Sequence, residues 1–169
     1  YNQAVMDFGA LQCTPAQPGC ADCPLASRCL ALAAGTVAER PVKQTKTKVR
    51  DRWFNYLHVT CGDRTLLRRR GEGDIWQGLY EFPMIETDRA ADFSELTDSE
   101  EFRTLLDGVE WRLLRSVAMP KHQLSHQTLH AVFHRIEIFS PVDFPSVPTA
   151  TLGDYAVPRL IDRYLDRQP

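Results

Sequence analysis

The sequence predicts an α+β fold: a mixed β-sheet with flanking helices, preceded by a small helical module built on cysteines. Three observations lead there. From Trp53 to Phe139 the chain repeats short β-branched and aromatic runs separated by turn residues, as half-buried strands do. Strands come first, then a helix, more strands and a last helix, an order that suits a mixed sheet. Before Trp53 the pattern is different: four of the five cysteines fall between residues 13 and 29.

Taken in order, residues 1–12 read as a helix with Ala4, Val5, Phe8 and Leu11 on one face. Pro24 opens a second helix over 24–34 and Gly35 ends it. Residues 36–52 read as a connector. Phe54 to Cys61 is a strand, Gly62-Asp63 a turn, and Thr65 to Arg69 the returning strand. Glu72-Gly73-Asp74 makes a loop, and Ile75 to Phe82 an apolar, aromatic run that stops at Pro83. Ser94 to Leu106 reads as a helix with Thr97 and Glu100 spaced as a capping box, Gly108 as terminator, and Phe102, Leu105 and Leu106 inward. Trp111–Val117 and Leu129–Phe139 are further strands. Pro158 starts the closing helix, with Leu160, Ile161, Tyr164 and Leu165 on one side. No internal repeat is visible.

The 169 residues are 43% hydrophobic and 25% charged, enough for one domain of ordinary size with an appendage. The net charge of −2 excludes polyanion binding by bulk field, so a nucleic-acid surface has to be a local patch. No signal peptide and no apolar run of membrane-spanning length is present, and we expect a cytoplasmic protein in a reducing compartment.

The cysteines run Cys13-x6-Cys20-x2-Cys23-x5-Cys29. Thr14, Pro15, Gln17, Pro18 and Gly19 fill the first interval and Pro24 follows the third cysteine, so the sulfurs sit on turning backbone. Disulfides need an oxidising compartment. Structural zinc usually takes two short Cys-x2-Cys pairs, and only one exists here. A [4Fe–4S] cluster takes one thiolate per iron corner and tolerates uneven spacing. The spacing favours the cluster, with zinc and disulfides as alternatives. Cys61 stands apart and reads as a small apolar strand residue.

Residues 1–35 carry Asn2-Gln3-Ala4, Met6-Asp7-x-Gly9-Ala10, the cysteine spacing and Cys23-Pro24-Leu25. This stretch resembles the end of a helix-hairpin-helix DNA glycosylase, and among these the A/G-specific adenine DNA glycosylase, or MutY, family. The resemblance implies a [4Fe–4S] cluster on Cys13, Cys20, Cys23 and Cys29. It also implies that the catalytic carboxylates precede the cluster in a domain outside these residues, so no catalytic residue is assigned; Asp7 reads as a helix-surface carboxylate. The fragment alone is expected to be inactive, with that missing domain as its partner. The first inter-cysteine loop carries no Lys or Arg, whereas many bacterial members place a cation there to meet DNA.

Leu66-Leu67-Arg68-Arg69-Arg70 and Trp76-Gln77-Gly78-Leu79-Tyr80-Glu81-Phe82-Pro83 resemble the start of a Nudix-like (MutT-like) fold, which in the adenine glycosylases forms the carboxy-terminal domain. The expected division is thus 1–35 cluster module, 36–52 basic linker and 53–169 Nudix-like recognition domain. Nudix hydrolases continue with a glycine pair and a helix bearing Arg-Glu-x-x-Glu-Glu, whose carboxylates hold Mg²⁺. Here Met84-Ile85-Glu86-Thr87 follows, and Glu95, Asp98, Glu100 and Glu101 do not reproduce the signature. A fold without the hydrolysis is expected. The alternatives are a Nudix pyrophosphatase with a metal-binding appendage and a zinc-binding interaction module.

Leu124-Ser125-His126, within Ala118–His126, resembles the family's Phe-Ser-His segment that meets 8-oxoguanine, with Leu124 in place of the aromatic. The implied partner is double-stranded DNA with 8-oxoguanine opposite adenine, and the implied location the bacterial nucleoid. Guanine N7 only accepts a hydrogen bond; in 8-oxoguanine it carries hydrogen and donates, and a serine hydroxyl can accept from it. Leu124 can still wedge at a base step. In the linker, Arg40, Lys43, Lys46, Lys48, Arg50 and Arg52 either form a solvated connector or track phosphates; Lys46, Lys48 and Arg50 are the candidate contacts. His126, His130 and His134 would lie on one strand face with about 13 Å between successive rings, too far for a shared ion.

Overall fold

Two twelve-residue strands, β1 (Arg50–Cys61) and β8 (Gln127–Ile138), lie side by side and parallel through their whole length, from Arg50 opposite Gln127 to Cys61 opposite Ile138. A parallel pair of this kind is stable when both faces are covered, and β1 is buried almost without interruption from Phe54 to Val59. The computed structural model describes residues 1–40 and 49–167. It divides into two compact units, Tyr1–Thr47 and Lys48–Pro169.

In the first unit, α1 (Asn2–Gln12) forms as expected but buries none of its residues; Val5 and Leu11 stay exposed. The helix expected over 24–34 is broken. A 3-10 turn at Ala26–Arg28 is followed by α2 (Leu30–Ala33), because Cys29 between them is extended (φ −80°, ψ 110°). Gly35 ends α2 at φ 67°, a conformation that costs glycine little.

In the second unit β1 is joined by β2 (Arg64–Leu66) across the expected Gly62 turn, while β3 (Arg68–Arg69) pairs with β4 (Tyr80–Glu81) in a separate ribbon. β5 (Met84–Thr87), β6 (Trp111–Ala118), β7 (His122–Gln123) and β9 (Ser146–Pro148) complete a mixed sheet of order β6-β8-β1-β2-β9 among the described residues, with β5 antiparallel to β1 and β7 antiparallel to β8.

Helices α3 (Phe93–Thr97) and α4 (Glu100–Leu106) cover one face, with Leu96, Phe102 and Leu106 over Leu57, Val59, Ile136 and Ile138. Helix α5 (Arg159–Leu165) covers the other, with Leu160, Ile161 and Tyr164 over Phe54, Tyr56, Leu129 and Phe133. Tyr164 stacks on Phe133 at 4.0 Å between centroids, and Phe82 packs edge-on against both. Each fully buried ring of this size contributes roughly 2–3 kcal/mol of apolar burial.

Two expectations are corrected. The single helix over 94–106 is two helices. Ser99 interrupts it with extended backbone and accepts a hydrogen bond from the Phe102 N–H at 3.2 Å. Thr97 is no cap, since its hydroxyl donates to the Ser94 carbonyl; the capping box is Asp92 with Glu95. The apolar run 75–82 is mostly loop. Arg70 donates to the Ile75 carbonyl, Arg69 to the Gly78 carbonyl, and Asp74 accepts from the Ile75 N–H, so these backbone groups are bonded to side chains instead of a neighbouring strand. Trp76 sits at φ 61° and Gly78 at φ 79°, conformations no strand continues through.

Candidate functional site

In the first unit, the segment carrying the cysteines is shaped by its own hydrogen bonds. The Cys13 N–H bonds the Gly9 carbonyl, the Gly19 N–H the Gln12 carbonyl and the Cys29 N–H the Ala26 carbonyl. Gln12 also donates from its side chain to the Gly19 carbonyl. A Cβ on Gly19 would come within 2.8 Å of that Gln12 amide, so a larger residue there would displace the Gln12 side chain from this bond. All four cysteines are free thiols, and together with Ala26 and Leu32 they line one concavity. Cys13 is exposed and the other three are half-buried. Among the described residues no three His, Cys, Asp or Glu side chains gather as they would around a single metal ion. Cys61 lies in β1, packed beside the α3–α4 core.

In the second unit, β7 turns back onto β8 through a tight hairpin. The Leu124 N–H bonds the Gln127 carbonyl at 2.8 Å, and Thr128 donates to the Gln123 side chain at 2.9 Å. Ser125 and His126 are exposed at the tip. Leu124 is half-buried and packs against the Phe54–Tyr164 core, with much of its apolar surface already committed inward. The Arg50 N–H bonds the His126 carbonyl at 3.1 Å, so the fold brings this candidate cation beside the candidate tip. Its guanidinium is largely exposed and lies 3.8 Å from Glu86. Lys43, Lys46 and Lys48 lie outside the described residues.

Arg52 departs from the linker reading. It is 7% exposed, on the face of β1 that also carries Phe54 and Tyr56, and its guanidinium lies over the Phe54 ring at 4.7 Å. It pairs two-pronged with Glu86 (2.7 and 2.6 Å) and with Asp74 (2.6 and 2.8 Å), and donates to Gln127 Oε1 at 3.1 Å. Asp74 also meets Arg70 at 2.8 Å; Arg70 reaches the buried Glu81, and Glu81 meets Arg68 at 3.2 Å. Positive and negative groups thus alternate from Arg50 to Arg68. The hydrogen bonds from Arg52 hold the Asp74 carboxyl down at about 2. Glu86 and Asp74 in turn raise the Arg52 pKa, and burial raises that of Tyr56. The signal for Arg52 was in the alternation: it is in phase with Phe54 and Tyr56, and inward-facing positions repeat every second residue.

Glu81 and Glu86, on either side of Phe82-Pro83, are thus engaged by arginines, whereas Glu100, Glu101 and Asp143 line a cleft with Pro83 and Arg68. On α3 and α4, Glu95 pairs with Arg89 and Arg103 with Asp98, both at the surface. Of the histidines, His126 is at the tip, outside β8. His130 stacks on Trp53 at 4.8 Å and bonds Asp51 at 2.7 Å. His134 is buried against Ser116 and Phe93.

The profile of the NUDIX domain matches residues 55–167. An adenine DNA glycosylase of Buchnera aphidicola (Schizaphis graminum strain) is 26% identical over 78% of this chain and 36% of its own length. One from Arabidopsis thaliana is 31% identical over 54% of this chain and 17% of its own. The chain thus spans about a third or less of these relatives. Among solved structures, the MutT protein of Methanosarcina mazei shares the fold at a TM-score of 0.51, with 13% identity over 73% of this chain and 95% of that one. Among the described residues no helix is long and apolar enough to cross a membrane.

Proposed function

The chain belongs to the NUDIX domain family, and we propose that this domain inspects DNA within an adenine DNA glycosylase, testing for 8-oxoguanine opposite the adenine to be removed. One observation carries the reading: Ser125 and His126 stand exposed on a hairpin tip whose backbone is bonded to that of the cationic Arg50. A hydroxyl in that position accepts from the N7–H that only the oxidised base presents, while Arg50, with Lys46 and Lys48, neutralises phosphates. Base removal itself is assigned to no residue of the chain.

The relatives named adenine DNA glycosylase support this reading over a pyrophosphatase. The segment around Pro83 adds to this: Glu81 and Glu86 are already matched by arginines and leave few free oxygens there for Mg²⁺. Cys13, Cys20, Cys23 and Cys29 are the proposed ligands of a [4Fe–4S] cluster: all four line one concavity, and such a cluster takes one thiolate per iron corner. Such a cluster would cross-link the turns between them. The proposed setting is intracellular, with the DNA.

Binding of the chain to duplexes bearing 8-oxoguanine or guanine opposite adenine, at two salt concentrations, tests the proposal. Wild type favours the lesion. Ser125→Ala narrows that preference by roughly fivefold, the worth of one net hydrogen bond, and leaves the salt slope unchanged because no phosphate contact is lost. Equal binding of both duplexes by wild type, or Mg²⁺-dependent hydrolysis of an oxidised nucleoside triphosphate, refutes it.

A further inference from the structure

Beyond the hairpin's own hydrogen bonds, the tip is tied to β1 at two points, one through the backbone and one through a side chain. The Arg50 N–H takes the His126 carbonyl. One residue on, the Gln127 side chain reaches down to Arg52 Nη1 at 3.1 Å. That guanidinium cannot wander. Its other N–H groups are taken by Glu86 on β5 and by Asp74 in the loop before β4, and its side chain is 8% exposed. Asp74 is tied in turn to Arg70. A donor with so little freedom sets the position of whatever it bonds.

We propose that Arg52 is a positioning residue for lesion readout, acting through Gln127 to set the register and angle of the Ser125-His126 tip. This rests on the function proposed above and adds a group that touches no DNA. Gln127 opens β8, directly opposite Arg50 in the parallel ladder, so its side-chain bond and the Arg50–His126 bond pin adjacent residues. With the side-chain hold lost, the tip keeps its backbone hydrogen bonds but gains freedom to rotate about them. The Ser125 hydroxyl then spends less time where N7–H would meet it. Asp74 and Glu86, on separate segments, become determinants of the same preference.

The test uses the 169-residue chain and the 8-oxoguanine and guanine duplexes, with the affinity ratio as readout and a thermal melt as control. Gln127→Ala lowers the ratio by roughly threefold to tenfold, one hydrogen bond's worth, with the melt close to wild type. Gln127→Glu keeps an acceptor facing Arg52; its charge weakens both duplexes alike, and the ratio returns towards wild type. Asp74→Asn, which loosens Arg52 from outside the hairpin, lowers the ratio in the same direction. A wild-type ratio in Gln127→Ala overturns the inference, as does a Gln127→Glu ratio as low as that of the alanine variant. A wild-type chain with no lesion preference removes the underlying function instead, and is recognised before any variant is measured.

Discussion

His58 and His134 show what a residue's surroundings do to its chemistry. His58 bonds the Tyr164 hydroxyl through Nδ1 at 2.9 Å and stacks on Phe82, while its Nε2 is buried without a partner. His134 bonds Ser116 the same way, and its Nε2 is likewise without a partner. Protonation would bury a charge and leave the Nε2–H an unmatched donor. Burial therefore lowers both to about 4, helped at His58 by Arg135 and Arg115. The folded chain thus binds fewer protons than the unfolded one between about 4 and the ordinary histidine value of about 6.5. Stability is full above that window and falls as the pH drops through it. Urea midpoints between pH 7 and pH 4 should show this decline, and His58→Gln should make it shallower. The strand alternation displayed His134 beside Ile136 and Ile138. The same alternation puts Arg52 in phase with Phe54 and Tyr56, but neighbouring Arg50 and the lysines before it made it read as linker.

At the scale of elements, strands were easier to read than helices. β6 and β8 occur where their β-branched runs stand, since half-buried strands advertise themselves by composition. The helical region 92–106 was harder, because Asp92, Ser94, Thr97, Asp98 and Ser99 all have capping chemistry and only packing decides which of them caps. Leu96 and Phe102 both enter the core, and a break at Ser99 lets two short helices deliver them. Ser99→Ala should cost about 1 kcal/mol, the usual value of such a cap, in a urea titration, whereas Thr97→Ala should cost far less. The loop 71–79 was unreadable for a related reason: its apolar residues look like a strand, but its carbonyls at Ile75 and Gly78 are taken by the side chains of Arg70 and Arg69 just before it. At the candidate site, Ser125 and His126 were legible only by resemblance. Nothing in their local composition distinguishes a recognition tip from an ordinary turn.

The molecule as a whole consists of two units that differ in how they are sustained. Residues from Lys48 onward carry both apolar cores, whereas the cysteine-bearing unit has no buried residue in α1 or α2. Iron should therefore matter to one unit and not the other. Anaerobic reconstitution with iron and sulfide should give a brown protein, Cys20→Ala should prevent it, and chelation should leave the principal cooperative melt where it was. Zinc uptake without colour would point to the other metal chemistry. The cysteine spacing made this module the plainest feature of the chain, since cysteines stand out by residue type while a group such as Gln127 does not.

The long parallel partnership at the centre of the sheet has a kinetic consequence. β1 cannot find β8 until everything from Gly62 to His126 has been looped out, a large entropic toll before any reward. Folding should accordingly be slow for a chain of this size, on the order of milliseconds to seconds. During synthesis, the apolar surface of β1 waits for its mate until the ribosome has released residue 138.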